Sequence, residues 1–288
     1  MERNAASRVA LVGVAVSVAL AVVKIFAGTR AHSVAVVSDG IESAGDFVGS
    51  LIVWFGLRAA QQPADEDHPY GHGRLETLLA LGIGALLVTV GAGIGVGAMM
   101  PRDESQMPHS FAIWVMLGAV LVKSALAVVK MQVGKKTNNA ALIADAIHDN
   151  VDILSGVVAL VSLTLATLVP AWHAADHYGG VVIGAIVIFM GARIIRETAL
   201  DLMDTMPSDQ QMSTIRATAL QVPGARAVEK CFARRTGARY HVDLHLEVDA
   251  ALTVRESHEI ARSVKHRLRR DLDWVEDVLV HVEPYEPR

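Results

Sequence analysis

The sequence predicts an α-helical membrane domain of six transmembrane helices followed by a small C-terminal α/β domain. Three observations predict it. Hydrophobic residues make up 52% of the 288 and charged residues only 19%, too apolar for a soluble chain of this length. The first two-thirds falls into six long apolar runs separated by short polar joints. Beyond Pro207 the pattern changes to strand-like alternation and an amphipathic helical stretch.

A helix needs about 20 mostly apolar residues to cross the hydrocarbon core. The runs Val9 to Gly28, Ser33 to Ala60, Leu75 to Met100, Phe111 to Val133, Ala140 to Val169 and Gly179 to Ile195 meet that length. Arg3 and Arg8 before the first run resemble the flank of a signal peptide, but five further runs follow. The chain is therefore expected to be integral in a lipid bilayer, with the first span retained. Basic residues cluster at alternate joints: Arg3 and Arg8; Arg58 and Arg74; Lys130, Lys135 and Lys136; Arg193 and Arg196. The opposite joints hold Arg30 and Arg102. The positive-inside rule then puts both termini in the cytoplasm. The expected division is 1–205 for the membrane domain and 206–288 for the cytoplasmic one.

In the second part, Tyr240 to Val248 alternates with apolar residues at even positions, a half-buried strand. Val254 to Arg270 spaces Ile260, Ala261, Val264 and Leu268 as one helical face. Val278 to Val282 reads as a second strand and residues 224–235 as a third. A domain of this size buries little core alone, so a homodimer is expected. Cys231 is the sole cysteine, which excludes an internal disulfide and a cysteine-rich zinc site. Any metal chemistry must use histidine and carboxylate. A net charge of −4 gives no reason to expect nucleic acid as a partner. No G-x-x-x-x-G-K-[ST] loop is present, so no nucleotide is expected.

The informative residues are charges where charges are expensive. Span two holds Asp39, Glu42 and Asp46; span five holds Asp145, His148, Asp149 and Asp152. Each acid at a helix centre costs roughly 2.5–3.5 kcal/mol on the insertion scale. Asp39, Glu42 and Asp46 are spaced i, i+3, i+7, as are Asp145, His148 and Asp152, so each set shares one helical face. The segments 38–46 and 144–152 also resemble each other, which suggests an inverted repeat of three spans plus three with a site at its interface. Residues four apart rise only about 6 Å along a helix, so Glu42, Asp46, His148 and Asp152 can converge on one ion. One nitrogen and three carboxylate donors suit tetrahedral zinc. Carboxylates crowded in a low dielectric hold protons more tightly, so metal uptake would release protons and protons would release metal. Asp39 and Asp145, about a turn away, are expected to line the two approaches or to bond between helices. A second set, Asp65, His68 and His72, lies in the joint between spans two and three, where Pro63, Pro69 and Gly71 oppose helix formation. A carboxylate and two histidines at these intervals suit zinc.

Ser38-Asp-x-x-Glu-Ser-x-x-Asp46 together with Ala144-Asp-x-x-His-x-x-x-Asp152 resembles the cation diffusion facilitator family, and the likeness covers nearly the whole chain. It implies a metal/proton antiporter of the bacterial zinc or iron efflux type, whose transport site takes Glu42, Asp46, His148 and Asp152. It implies a metallochaperone-like, ferredoxin-like cytoplasmic domain and a bacterial inner-membrane location. The family has Asp or His where this chain has Glu42, whose extra methylene shifts the carboxylate. The resemblance also implies that Asp65, His68 and His72 form a second, cytoplasmic-facing site. Glu229, His245, His258, His281 and Glu283 fall where some relatives bind metal between subunits, so zinc is expected as substrate and as regulatory ligand, with protons as counter-ion. Relatives often carry His and Asp in place of Glu229 and Glu283. Arg74 and Asp204 match an ion pair that interlocks subunits.

The expected activity is therefore export of a divalent metal ion, zinc first, with iron(II), manganese, cobalt or cadmium as alternatives. An intramembrane zinc hydrolase is disfavoured, because no His-Glu-x-x-His pattern occurs and four protein ligands leave no position for water. A membrane-anchored metal sensor without flux has no use for ligands buried in the bilayer.

Overall fold

The computed structural model describes residues 2–60, 62–100, 108–136, 140–237 and 239–286; Arg102 lies outside them. Six long helices come first: α1 (Glu2–Ala31), α2 (Val34–Ala60), α3 (Arg74–Met99), α4 (Phe111–Lys136), α5 (Ala140–Leu168) and α6 (Ala175–Leu202). A helix α7 (Asp209–Ala219), strands β1 (Ala227–Thr236) and β2 (Arg239–Val248), helix α8 (Val254–Asp271) and strand β3 (Val275–Pro284) follow. The chain forms two compact units. One comprises Met1–Ile52 and Gly82–Ile194, the other Val53–Leu81 and Ile195–Arg288.

In the first unit the usual distribution of polarity is inverted. Trp114 is 74% exposed and Phe189 70%, whereas Asp39 is 1% exposed and Lys130 2%. Water would not tolerate so much bare apolar surface, and lipid would not tolerate those charges outside. Stretches of α1, α3, α4, α5 and α6 are long and apolar enough to cross a membrane. Helix α2 carries three acids, Asp39, Glu42 and Asp46, within its length. Its apolar core residues, Ala35 and Val36, pack with Met116, Ala159, Leu163, Ile183 and Val187. The turn from α1 into α2 is compact. His32 takes φ 56°, the Ser33 amide donates to the Gly28 carbonyl at 3.0 Å, and the Ser33 hydroxyl accepts from the Val36 amide at 3.2 Å. That closes α1 in a left-handed cap and opens α2 with an N-cap serine.

The second unit contains a three-stranded sheet in the order β1-β2-β3. β1 and β2 are antiparallel; β2 and β3 are parallel and joined through α8. The order α-β-β-α-β is the ferredoxin-like one, without a strand ahead of α7 among the described residues. The alternation read from the sequence holds in β2, where Val242, Leu244, Leu246 and Val248 are buried. They meet Ile215 and Ala219 of α7 and Val264 and Leu268 of α8 in one core. The expected strands and α8 are present. Helix α7 was not foreseen, although Ser208 and Gln211 form a complete capping box at its start.

Candidate metal centres

Three groups of histidine and carboxylate come together among the described residues, each with ligand atoms within 4.8 Å of one another.

The first lies in the membrane unit. Asp46 on α2 and His148 and Asp152 on α5 converge, as their spacing requires. His148 Nε2 is 3.7 Å from Asp46 Oδ2 and 3.7 Å from Asp152 Oδ1. Those separations leave room between donors for an ion rather than closing a direct hydrogen bond. Asp152 Oδ1 is buried and makes no hydrogen bond. Glu42 does not join this group. Its Oε1 accepts from Ser155 Oγ at 2.8 Å, while Oε2 is buried without a hydrogen bond. Ser155 lies one turn beyond Asp152, so the longer glutamate side chain is held a turn along the site.

Buried lysines surround the cluster, and sequence reasoning missed them. Lys123 Nζ on α4 lies 2.8 Å from Asp149 Oδ1 and 2.8 Å from Asp152 Oδ2. Lys130 Nζ lies 2.8 Å from Asp145 Oδ2 and 2.7 Å from Asp149 Oδ2. Lys24 Nζ on α1 lies 2.7 Å from Asp39 Oδ2. A signal was available: Lys123 and Lys130 are seven apart inside an apolar run, one face of a helix, as the acids are. Lys130 therefore belongs to the helix interior and not to the joint where its charge was counted for orientation. A β-carbon at Gly13 of α1 would lie 2.6 Å from Lys130 Cε, so glycine there gives the lysine stem its passage. Asp39 and Asp145 are ion-paired between helices, the second of the two roles expected for them. The three ammoniums offset three of the six carboxylates on α2 and α5, leaving an excess of negative charge for a cation to meet.

The second group is Asp65, His68 and His72, within the other unit. Asp65 Oδ1 accepts from the His68 amide at 2.6 Å and lies 3.2 Å from His68 Nδ1; His72 Nε2 is 3.5 Å from Asp65 Oδ2. The amide hydrogen bond from His68, then its side chain, holds the Asp65 carboxyl below its ordinary pKa. The turn is closed by the Gly71 amide donating to the His68 carbonyl at 2.9 Å. Gly71 has φ 77°, a conformation glycine adopts without strain.

The third group is His245, His281 and Glu283. Parallel register places His245 opposite His281, and Glu247 opposite Glu283. His245 Nδ1 is 2.7 Å and His281 Nε2 3.6 Å from Glu283 Oε1. Glu229 sits at an irregularity in β1, between Val228 and Cys231. A hydrogen bond with Glu229, then one from His245, holds Glu283 below its ordinary pKa. Glu229 is thus beside the group, whereas His258 is exposed on α8 and outside it. Arg74 and Asp204 form an ion pair at 3.1 Å, with Asp204 in the left-handed region at φ 55° just past α6.

The model of the cation efflux transmembrane domain matches residues 10–203, and that of the cation efflux protein cytoplasmic domain matches 207–285. Among similar proteins, an uncharacterized transporter of Methanocaldococcus jannaschii is 34% identical, over 93% of this chain and 94% of its own. The manganese efflux system protein MneP of Bacillus subtilis is 30% identical, over 99% of this chain and 98% of its own. Metal tolerance protein C1 of Arabidopsis thaliana is 30% identical over 94% of this chain, which spans 61% of that protein's length. With the polarity-inverted helical unit, the histidine and carboxylate cluster within it and the α/β domain, these matches make the chain an integral membrane protein of the cation diffusion facilitator family of cation transporters.

Proposed function

We propose that the chain exports a divalent metal ion, zinc first, in exchange for protons, with Asp46, His148 and Asp152 holding the ion in transit. The observation that carries this is the cluster itself, closed on one side by the buried Asp152. Three donors of two chemical kinds meet inside the membrane unit at ion-sized separations. Glu42 lies a turn away, held by Ser155 and with one buried oxygen that makes no hydrogen bond; it becomes the fourth donor once an ion draws that carboxylate into the group. One imidazole among carboxylates favours zinc over manganese. Proton exchange follows from the same crowding, because an excess of carboxylates in low dielectric binds protons when it holds no metal.

The two outer clusters act on this cycle. Asp65, His68 and His72 take metal on the cytoplasmic side. His245, His281 and Glu283, with Glu229 beside them, bind zinc as a regulatory ligand in the domain 206–288, where the chain forms a homodimer; the family of the cytoplasmic domain supports that assembly. The membrane domain is 1–205. Basic residues at alternate joints support cytoplasmic termini even with Lys130 removed from the count; the family pattern and chain length support a bacterial inner membrane. Manganese is the second reading, favoured by likeness to MneP.

The test is metal-driven proton flux in proteoliposomes, with zinc, manganese, iron(II), cobalt and cadmium in parallel and Asp152→Ala beside wild type. Zinc-dependent flux that disappears in the variant is the expected result. Tight binding with no flux for any metal would instead mark a sensor, and flux retained in Asp152→Ala would move the site elsewhere.

A further inference from the structure

Asp152 is divided between two neighbours. Its Oδ1 faces His148 Nε2 at 3.7 Å and makes no hydrogen bond. Its Oδ2 is held 2.8 Å from Lys123 Nζ. Lys123 is itself fully engaged: its ammonium lies 2.8 Å from Asp149 Oδ1 and donates to Ser17 Oγ at 2.9 Å, so three partners match its three donors. Charge neutralisation alone does not require this division. Lys130 and Lys123 already contact both oxygens of Asp149, and Asp152 is the one acid here that offers one oxygen to a lysine and one to the metal cluster.

The division has a chemical consequence. A carboxylate can bind a metal through one oxygen or chelate it through two. Chelation raises the coordination number, which suits large ions with six or more oxygen ligands. Manganese prefers six-coordinate, oxygen-rich sites, whereas zinc is satisfied by four donors in a tetrahedron. For Asp152 to chelate, Oδ2 must leave Lys123, and parting a buried pair is costly.

We propose that Lys123 is a specificity-determining positioning residue: by holding Oδ2 of Asp152 it restricts that ligand to a single oxygen and keeps the transport site low-coordinate, favouring zinc over manganese. This rests on the reading that Asp46, His148 and Asp152 hold the transported ion. Lys123 does not touch the metal; it acts through Asp152.

The experiment is equilibrium binding of zinc and of manganese to the purified full-length chain in nanodiscs, by competition with a chromophoric chelator. The part of the signal lost in Asp152→Ala defines this site. Lys123→Met frees Oδ2. Because that change leaves Asp149 and Asp152 short of a counter-charge, Lys123→Met/Asp149→Asn removes one acid with the base and carries the test if the single variant does not fold. The manganese-to-zinc affinity ratio is expected to rise by about 10- to 100-fold, the usual scale for loss of a group that orients a metal ligand. Equal loss for both metals, with the ratio unchanged, would overturn the proposal, since it would make Lys123 merely structural. If Asp152→Ala removes no binding in the wild-type background, the site itself is wrong, and the role of Lys123 falls with it.

Discussion

The membrane unit and the α/β unit use the same donors, histidine and carboxylate, in opposite settings. In the first, Asp149 and Asp152 are 2% and 5% exposed as side chains and every acid on α5 meets a lysine, while His148 beside them is 42% exposed. In the second, His68 and His281 have side chains 59% and 64% exposed, and water can replace any partner that is removed. Clusters of similar geometry therefore differ in what they cost. A buried network must balance its charge internally or accept an ion from outside, while an exposed one can fill and empty without disturbing the fold. That difference is in keeping with the proposed roles, transit for the first and capture and regulation for the others.

The sharpest way to break this comparison is Lys130→Met. It should destabilise the membrane unit by about 3–5 kcal/mol, because Asp149 loses a buried partner. Lys130→Met/Asp149→Asn should recover most of it. Thermal unfolding in detergent measures both, and a single variant within about 0.5 kcal/mol of wild type would mean that the unit is wetter than its burial indicates. Next comes the loop cluster. Substituting Gly71 by Ala puts a β-carbon into left-handed backbone at about 1–2 kcal/mol, so His72 should lose its place and metal affinity there should fall. Flux should decline only in part for Gly71→Ala, His68→Ala or His245→Ala. Loss as complete as in Asp152→Ala would erase the distinction between buried and exposed clusters. Arg74→Ala should shift stability by less than about 1 kcal/mol, since both partners are about half exposed; a larger loss in thermal unfolding would mean that the pair does more than a surface bridge.

The smallest effect concerns pH. Burial, then the Arg234 charge, holds His241 on β2 below its ordinary pKa. The unfolded chain therefore takes up this proton first as pH falls. The stability it contributes is complete above about pH 6.5 and is lost as pH drops through the folded value. His241→Gln should flatten that part of the stability profile, as followed by thermal unfolding of the intact chain between about pH 7 and 5. An unchanged slope would assign the dependence to another group.

Much of this protein was legible in its sequence. Helix lengths follow from bilayer thickness, and the faces of α2 and α5 follow from i, i+3, i+7 spacing, so Asp46, His148 and Asp152 could be named before any coordinates. The strands followed from period-two alternation, with Val242, Leu244, Leu246 and Val248 inward. Helix α7 was missed because its apolar face is short and its signal lies in the Ser208–Gln211 cap. Glu42 matched the face but not the cluster, since spacing gives an angle around the helix and says nothing of Ser155 waiting for the carboxylate. His258 was named through family likeness, and it lies exposed on α8, outside the group of His245, His281 and Glu283.

Local period and composition are enough to set which segments are apolar, which faces carry charge and which donor types are available. Which charge meets which depends on how the helices pack. Lys123 and Asp152 lie on different helices, and no spacing along the chain tells that one oxygen of Asp152 is given to a lysine and the other to the cluster. In a low-dielectric interior that partition is set by three-dimensional proximity, where small changes in distance alter Coulombic energies far more than they would in water.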